Sequence, residues 1–501
     1  MKKIINIIAF AAIAFLTSCD LDLYPETSYN EGNVKVEENT ESQYSTRADM
    51  EGLRKTLYDN WMKDIQDKDY TDWLVYTECR ADNAYAGSPT TGEIVDIESN
   101  KQDANNKNVK RDWDWYLGQV SNANQLICNI DSIAIKDPSL TPEERDRWKA
   151  EMLIWRSYIL LKMTYLWGDV PMVTTIPPAI TAENVEEVYP AYFPERKPIA
   201  EVYARIIEDL EFACKYAPDV NKDNKMLMSK AVAYGLLARV YAEKTARDWN
   251  KVAQACQAVE DMGFALVDDF GRMWAYDEDD AVRNTSESIL EVTWTRSNGN
   301  WFWMMFHRNA YNPDDSFSWM KWITPSRDLI AAYDAEGDTE RKNVNIVYDK
   351  CSWSNYYPSD RYPFMNKVPT NASSTILMRL GEIYLLHAEA LAMTDKLSEA
   401  AGYVNRIRSR AGLANLPADA SSSKDTMIDA ILKERRLELA FEGFRFFDLV
   451  RHDKAVRTCA AVAAADKYWA ARSPLTEETI LMPVSQEARD KNPSLKQNPG
   501  Y

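Results

Sequence analysis

Residues 230–263 read KAVAYGLLARVYAEKTARDWNKVAQACQAVEDMG and predict two short amphipathic helices in succession. The apolar positions of the first half follow the i, i+3, i+4, i+7 spacing of one helix face, and those of the second half repeat it. These positions are Ala231, Tyr234, Gly235, Ala238, Tyr241 and Ala242, then Val252, Ala255, Cys256 and Val259. Two such helices within about 34 residues, rich in small side chains that let the pair approach closely, predict a tetratricopeptide hairpin.

A second hairpin of the same kind is predicted within residues 376–412. Its apolar face consists of Leu380, Ile383, Tyr384, His387 and Leu391, followed by Ala400, Val404 and Ile407. Further helices are expected at about 50–66, 113–133 and 199–216.

One more helix carries clear start and stop signals. Thr141 is a capping residue, Pro142 suits the first turn and Glu144 completes a capping box. The following run is apolar on most sides, which predicts deep burial, and Gly168 is a suitable stop.

Long irregular stretches at 80–110, 170–198 and 263–375 separate these helices, with one short strand expected at 288–294. Within the last stretch, Asp334–Asp338 is interpreted as a solvated turn and not as a calcium loop. The predicted fold class is therefore mostly α, a tetratricopeptide-like helical-repeat scaffold with large irregular loops.

The N-terminus, MKKIINIIAFAAIAFLTSCDLD, has two lysines, a short apolar run and the sequence Leu16-Thr17-Ser18-Cys19. The run is too short to span a bilayer, which needs about 20 residues. It predicts a secretory signal over residues 1–18, with cleavage before a lipid-carrying Cys19. We therefore expect an outer-membrane protein, exposed at the cell surface and anchored by acyl chains such as palmitate.

The charge balance excludes one class of partner. The net charge is −18 and the pI about 4.9, whereas nucleic-acid binding requires clustered Lys and Arg. Six cysteines follow Cys19 without any CxxC pair, and the three histidines are scattered. We expect buried free thiols, no metal site and no cofactor.

Several motifs in order resemble one known family, the SusD/RagB surface lipoproteins. They are YLWGDVPMV (165–173), LLARVYAEKTARDWNKVAQACQAV (236–259), MRLGEIYLLHAEAL (378–391), VNRIRSRAGL (404–413), ILKERRLELAFEGFRFFDLVRH (431–452) and NPSLKQNPGY (492–501). The resemblance covers nearly all of the mature chain and implies one compact folded unit, with an N-terminal region over 19–225 and a C-terminal region over 226–501.

The resemblance also implies a function. Members of this family bind oligosaccharides at the cell surface and deliver them to a SusC-like TonB-dependent transporter, without catalysis. One branch of the family is associated with peptides instead.

The charged run from Glu434 to Arg451 contains enough carboxylates to suggest a glycosidase pair. These residues alternate with Leu and Phe at helical spacing, which favours ion pairs that fix packing. No GxSxG, P-loop or GxGxxG motif is present. The sequence therefore predicts a protein that is not an enzyme.

Residues 300–322, NWFWMMFHRNAYNPDDSFSWMKW, are the most aromatic stretch of the chain. Sugar rings pack their C–H faces on aromatic planes, while their hydroxyls need polar partners. A second cluster of aromatic and polar residues lies in DWLVYTECRADNAY (72–85). The predicted ligand-binding residues are Asn300, Trp301, Trp303, Asn309, Trp319 and Trp322, with Trp73, Asp82 and Asn83.

Each of these tryptophans has two other interpretations, because indole rings also fill cores and protein interfaces. Two other functions also stay open. The acidic balance suits capture of basic peptides, and a structural transporter lid with weak ligand binding would need no sugar site.

Overall fold

Paired helices dominate the protein, as the sequence predicts. The computed structural model describes residues 43–87, 92–276, 281–306, 322–351 and 356–501, of which residues 44–501 form one compact unit. Three predicted site residues, Cys19, Asn309 and Trp319, lie outside the described residues. No helix in the described ranges combines the length and apolar character that crossing a bilayer requires.

The described residues of the first half of the chain form nine α-helices. They are α1 (Arg47–Asp64), α2 (Asp72–Leu74), α3 (Gly92–Glu98), α4 (Lys107–Lys136), α5 (Pro142–Trp167), α6 (Val185–Tyr192), α7 (Ile199–Tyr216), α8 (Lys230–Ala242) and α9 (Trp249–Glu260). Two π-helical segments, Ile65–Thr71 and Val75–Cys79, flank α2 and continue the direction of α1.

The described residues of the second half of the chain form nine further α-helices, including those of the second hairpin. They are α10 (Trp303–Phe306), α11 (Arg327–Glu336), α12 (Thr339–Asn345), α13 (Leu380–Met393), α14 (Leu397–Arg410), α15 (Lys424–Glu438), α16 (Arg445–Arg451), α17 (Ala455–Ala465) and α18 (Gln486–Lys491). Two 3₁₀ turns occur at Phe270–Trp274 and Ala418–Ser421.

Strands in the described ranges form four antiparallel two-stranded pairs that join distant parts of the chain. The pairs are β1 (Ala84–Tyr85) with β5 (Thr324–Pro325), β2 (Val170–Pro171) with β3 (Arg196–Lys197), β4 (Ser288–Val292) with β8 (Thr375–Arg379), and β6 (Ile346–Asp349) with β7 (Tyr362–Met365). Strand β4 is the strand expected at 288–294, and it is buried throughout.

Both predicted hairpins are confirmed, as α8–α9 and α13–α14. The need for small residues is visible at Gly235 on α8. A Cβ atom built there would lie 2.3 Å from Sδ of Met378 on β8, closer than any real contact. Glycine therefore lets α8 pack directly against the strand that leads into α13.

The Thr141 cap and the Gly168 stop of α5 act as predicted. The Thr141 side chain accepts a hydrogen bond from the Glu144 amide at 3.2 Å, and Gly168 ends the helix with φ of 72°. The Glu144 carboxylate pairs with Arg47 on α1 at 2.7 Å. From Ala150 to Trp167 every side chain except that of Tyr165 is buried, so this part of α5 is central to the core.

The charged run on α15 and α16 forms buried ion pairs. Glu438 accepts hydrogen bonds from Arg341 at 3.0 Å and from Arg379 at 2.7 Å. Arg379 also pairs with Glu287 and Glu442, each at 2.7 Å. Buried charges of this kind require partners, and here they fix α15 against β4 and β8. The structural interpretation of this run is confirmed by the geometry.

One turn differs from the sequence interpretation. Asp338 was expected in a solvated turn, but it is buried, caps α12 and pairs with Arg341 at 2.6 Å. Asp334 in the same stretch is exposed. Asp338 is buried because Arg341 is itself buried and needs a carboxylate partner.

Candidate functional site

Trp301 is the predicted ligand contact whose side chain reaches solvent. Its side chain is 37% exposed, and its amide donates a hydrogen bond to Oε1 of Gln66 at 2.7 Å. Gln66 belongs to the first π-helical segment, so Trp301 is fixed against the first long helix while part of its ring remains open.

Asn300 holds the turn that carries Trp301. Its side-chain amide donates to the carbonyls of Asn371 and Ser373, each at 3.0 Å, and its Oδ1 accepts from the Trp303 amide at 3.1 Å. Asn300 is 1% exposed. It therefore positions the neighbouring indole through the backbone and presents no surface of its own.

Trp303 and Trp322 face the core. They are 6% and 9% exposed and belong to the main hydrophobic cluster together with Phe302 and Phe306. The Trp322 amide donates to the carbonyl of Met305 at 2.9 Å. This bond joins Trp322 to α10; residues 307–321, which include Asn309 and Trp319, are outside the described residues.

Trp322 also carries a buried donor. Its Nε1 has no hydrogen-bond partner among the described residues, and a buried N–H normally has one. This indole N–H lies where residues 307–321 rejoin the described chain.

The second predicted cluster is buried and bonded to protein. Nε1 of Trp73 donates to the carbonyl of Gly443 at 3.0 Å. Asp82 accepts from Arg445 at 2.8 Å and lies 3.4 Å from Arg436. Burial opposes ionisation of Asp82, but the charges of these arginines outweigh it and hold the pKa of the carboxyl well below its ordinary value.

Asn83 is engaged in the same way. It donates to Glu78 at 2.7 Å and accepts from Arg436 at 2.9 Å. Trp73, Asp82 and Asn83 therefore join the first long helix to α15 and α16. Among the described residues, we therefore keep Trp301 alone as a proposed ligand contact.

An aromatic surface that the site prediction missed lies beside the β1–β5 pair. We call it the tyrosine cluster: Tyr85, Tyr356, Tyr357 and Tyr468. The rings of Tyr85 and Tyr356 stack at 4.5 Å with an interplanar angle of 6°, and Tyr468 meets both edge-on. Tyr85 is buried, whereas Tyr356, Tyr357 and Tyr468 are each partly exposed.

Arg327, at the start of α11, holds the tyrosine cluster together. Its guanidinium lies 4.4 Å from the ring centre of Tyr357 and 4.9 Å from that of Tyr468. It donates to the Tyr85 hydroxyl at 3.1 Å and to the carbonyl of Tyr356. Its side chain remains 41% exposed, so the cluster presents aromatic rings beside a partly exposed arginine.

The buried member of the cluster is also hydrogen-bonded. The Tyr85 hydroxyl donates to the carboxylate of Asp466. Burial and this carboxylate raise the pKa of the Tyr85 hydroxyl well above its ordinary value. The hydroxyl therefore stays a donor at neutral pH.

The sequence does contain a signal for this surface. Tyr356–Tyr357 and Tyr468–Trp469 are adjacent aromatic pairs. Only the tertiary structure shows that these pairs meet Tyr85.

One stretch of backbone connects the two aromatic surfaces. Trp322 is bonded to the carbonyl of Met305, near Trp301, and Thr324 pairs with Tyr85 two residues later. Residues 322–324 therefore link the segment that carries Trp301 to the strand pair beside the tyrosine cluster.

A helical-repeat scaffold that presents aromatic rings beside amide and charged groups defines a class of ligand-binding protein. Comparison with known families specifies the class further. The family model described as "SusD family" matches residues 301–501, and the model described as "Starch-binding associating with outer membrane" matches residues 35–242. The chain belongs to the SusD/RagB family.

Curated relatives agree over most of their length. SusD-like protein P38 of Formosa agariphila is 23% identical over the whole of both chains. A SusD-like protein of Bacteroides ovatus is 23% identical over 90% of this chain and 82% of its own.

Solved structures share the fold. A structure titled as a laminarin-binding SusD-like protein has a TM-score of 0.72 at 22% identity, covering 91% of this chain and all of its own. Surface glycan-binding protein A from Bacteroides thetaiotaomicron, solved in complex with laminarihexaose, has a TM-score of 0.72 at 17% identity and the same coverage.

Proposed function

We propose that this protein is a cell-surface lipoprotein that binds oligosaccharides and delivers them to a SusC-like TonB-dependent transporter. The observation that carries the proposal is the partly exposed Trp301, whose backbone amide is bonded to Gln66 and whose turn is held by Asn300. A flat apolar face on an ordered backbone segment loses little conformational entropy on binding a sugar ring.

The tyrosine cluster supports the same ligand class. Its partly exposed rings can receive C–H faces, while Arg327 can donate to ring hydroxyls. The names of two structural relatives include laminarin binding and a laminarihexaose complex, which favours a glycan over other ligands. Trp319 and Asn309 remain proposed contacts, because they lie in the chain between Phe306 and Trp322, which is bonded to Met305.

Affinity titration of the purified full-length protein with an oligosaccharide panel tests this function. We expect at least one neutral oligosaccharide to bind, and Trp301→Ala to weaken that binding by about tenfold or more, equivalent to about 1.4 kcal/mol. Trp301→Phe is the matched control, since it keeps an aromatic face and should lose less. Binding by no oligosaccharide in the panel would refute the proposal.

The same titration decides between ligands. The net charge of −18 would favour basic peptides through long-range attraction. A peptide that binds tightly, with affinity falling steeply as salt rises, would replace the glycan assignment. A neutral sugar should show almost no salt dependence.

We propose binding without hydrolysis. The carboxylates on α15 and α16 that could resemble a glycosidase pair are paired with arginine, as Glu438 is with Arg379. Incubation of the protein with the bound oligosaccharide should therefore release no new reducing ends.

The lipid anchor and the transporter have separate tests. Cys19→Ala should abolish incorporation of labelled palmitate and release the protein from membrane fractions. Purification of the tagged wild-type protein from its native outer membrane should recover a TonB-dependent transporter. Recovery of the lipoprotein alone under mild detergent would contradict the partnership.

A further inference from the structure

A second cavity, which we call the C-terminal pocket, lies away from both aromatic surfaces. Its volume is about 530 Å³, and it opens between the end of α5, the start of α7, the α8–α9 turn, α16 and residues 496–499. Cavities of about 300–1,000 Å³ are typical of small-molecule sites. The pocket shares no lining residue with Trp301 or the tyrosine cluster.

Two charged side chains stand at the inner wall of this pocket without completing a bond to each other. Nη1 of Arg451 lies 3.9 Å from Oε1 of Glu243, which is too long for a hydrogen bond. Nε and Nη2 of Arg451 are already held by Glu389, each at 2.8 Å, and Nη2 also by Asp448 at 2.8 Å. Glu243 therefore faces Nη1 without a hydrogen bond between them.

Glu243 likewise has few hydrogen-bond partners. Its Oε1 accepts one hydrogen bond, from the Tyr165 hydroxyl at 3.1 Å. Burial raises the pKa of Glu243 to about 7, and the charge of Arg451 offsets this only in part. A buried carboxylate normally gains more partners than this.

The same wall carries an apolar face. The rings of Tyr165 and Phe447 stack at 4.8 Å with an interplanar angle of 20°. Together with Glu243 and Arg451 they also line a cavity of about 60 Å³ on the inner side of the pocket. These four residues therefore separate the open pocket from an internal space.

The combination selects a ligand chemistry. A carboxylate that accepts and a guanidinium that donates, 3.9 Å apart, match neighbouring groups that can each donate and accept. Hydroxyl groups have this property. A simple amine is attracted by Glu243 but repelled by Arg451, and a simple carboxylate is attracted by Arg451 but repelled by Glu243, so neither gains from both groups. Beside an aromatic face, adjacent hydroxyls on a small ring are the complementary structure.

We propose that the C-terminal pocket is a second binding site, which takes a monosaccharide or disaccharide whose adjacent hydroxyls bridge Arg451 and Glu243 against Tyr165 and Phe447. The site stands independently of the surface around Trp301. It would let the protein hold a short saccharide apart from the main oligosaccharide.

Saturation-transfer NMR on the purified full-length protein, with D-glucose, D-galactose, D-mannose and maltose as probes, tests this site. We expect saturation of at least one sugar. Glu243→Ala should reduce its affinity by about tenfold or more. Thr245→Trp, which adds bulk at an exposed rim position, should block the same binding without altering the buried wall.

Trp301→Ala is the matched control, because it removes the proposed oligosaccharide contact and should leave saturation of the small sugar unchanged. Thermal unfolding of each variant establishes that it is folded, and Thr245→Trp decides the question if Glu243→Ala is not. The proposal is overturned if no probe sugar is saturated, or if Trp301→Ala removes the signal while Thr245→Trp leaves it. Saturation of methylamine or acetate in place of sugars would overturn the assigned ligand chemistry.

Discussion

Trp301 and Trp303 are two residues apart, yet the structure assigns them different roles, which two alanine variants can separate. Trp303 is 6% exposed within the main core, whereas Trp301 is 37% exposed. Substitution of a core tryptophan by alanine costs about 3–5 kcal/mol, and this is the expected loss for Trp303→Ala.

The expected cost for Trp301→Ala is smaller by an amount that follows from exposure. The two side chains differ by about a third of their surface. At about 150–250 Å² per aromatic side chain and about 25 cal/mol per Å², that difference corresponds to about 1–2 kcal/mol. Ligand affinity should change in the opposite order, with the larger loss at Trp301.

Urea unfolding followed by circular dichroism measures the stability of each variant, and titration with an oligosaccharide that binds the wild-type protein measures its affinity. The expected result is a Trp301→Ala that is destabilised less than Trp303→Ala, by about 1–2 kcal/mol, and binds more weakly, and a Trp303→Ala that binds normally in its folded fraction. Equal destabilisation of both variants with unchanged affinity would refute the distinction.

Three further predictions concern the interior and the tyrosine cluster. Arg379→Met should lower the free energy of unfolding by about 3–5 kcal/mol in a urea titration, because three buried glutamates lose a partner. The control is the exposed Lys491→Met, which breaks a pair with Glu487 and should change the free energy of unfolding by less than about 1 kcal/mol. Glu243→Gln should gain stability relative to wild type as pH rises from about 5 to about 7, by at most about 1.4 kcal/mol per pH unit. In the folded wild type the pKa of Glu243 is raised from 4.5 to about 7, so the unfolded state ionises first and the equilibrium shifts toward unfolding. Urea titrations that give the same stability difference between variant and wild type at both pH values would contradict this. Arg327→Ala should weaken oligosaccharide binding several-fold in a titration. It should also destabilise the fold by about 1–2 kcal/mol, because it removes exposed cation–π contacts to Tyr357 and Tyr468. Unchanged affinity would exclude the tyrosine cluster from the site.

Local signals in the sequence were sufficient for the helical scaffold. The spacing of small residues located α8 and α9, and Thr141, Pro142 and Gly168 located both ends of α5. These features depend on contacts within a few residues, which sequence patterns record.

The candidate site depends on contacts that the sequence does not record. Trp301 and Trp303 have similar neighbours in the chain, but their exposure is decided by Gln66 and by residues 371–373. Asp82 resembled a ligand-binding residue because its partner Arg445 is more than 350 positions away. Polar residues beside aromatics therefore indicate a site only after long-range ion pairs have been assigned.

The tyrosine cluster also depends on contacts that the sequence does not record. Tyr85, Tyr356 and Tyr468 come from three separate segments, and the stack forms only because β1 pairs with β5 and Arg327 follows β5. Adjacent aromatic pairs at 356–357 and 468–469 indicated candidates, but nothing local indicated that they meet.

The most direct test of the proposed function is a crystal structure of the protein with an oligosaccharide that it binds in solution. We predict that a sugar ring lies parallel to the Trp301 indole at van der Waals distance, about 3.5–4 Å, with further sugar units extending toward the tyrosine cluster. An oligosaccharide bound with Trp301 open to solvent and the tyrosine cluster unoccupied would contradict the account.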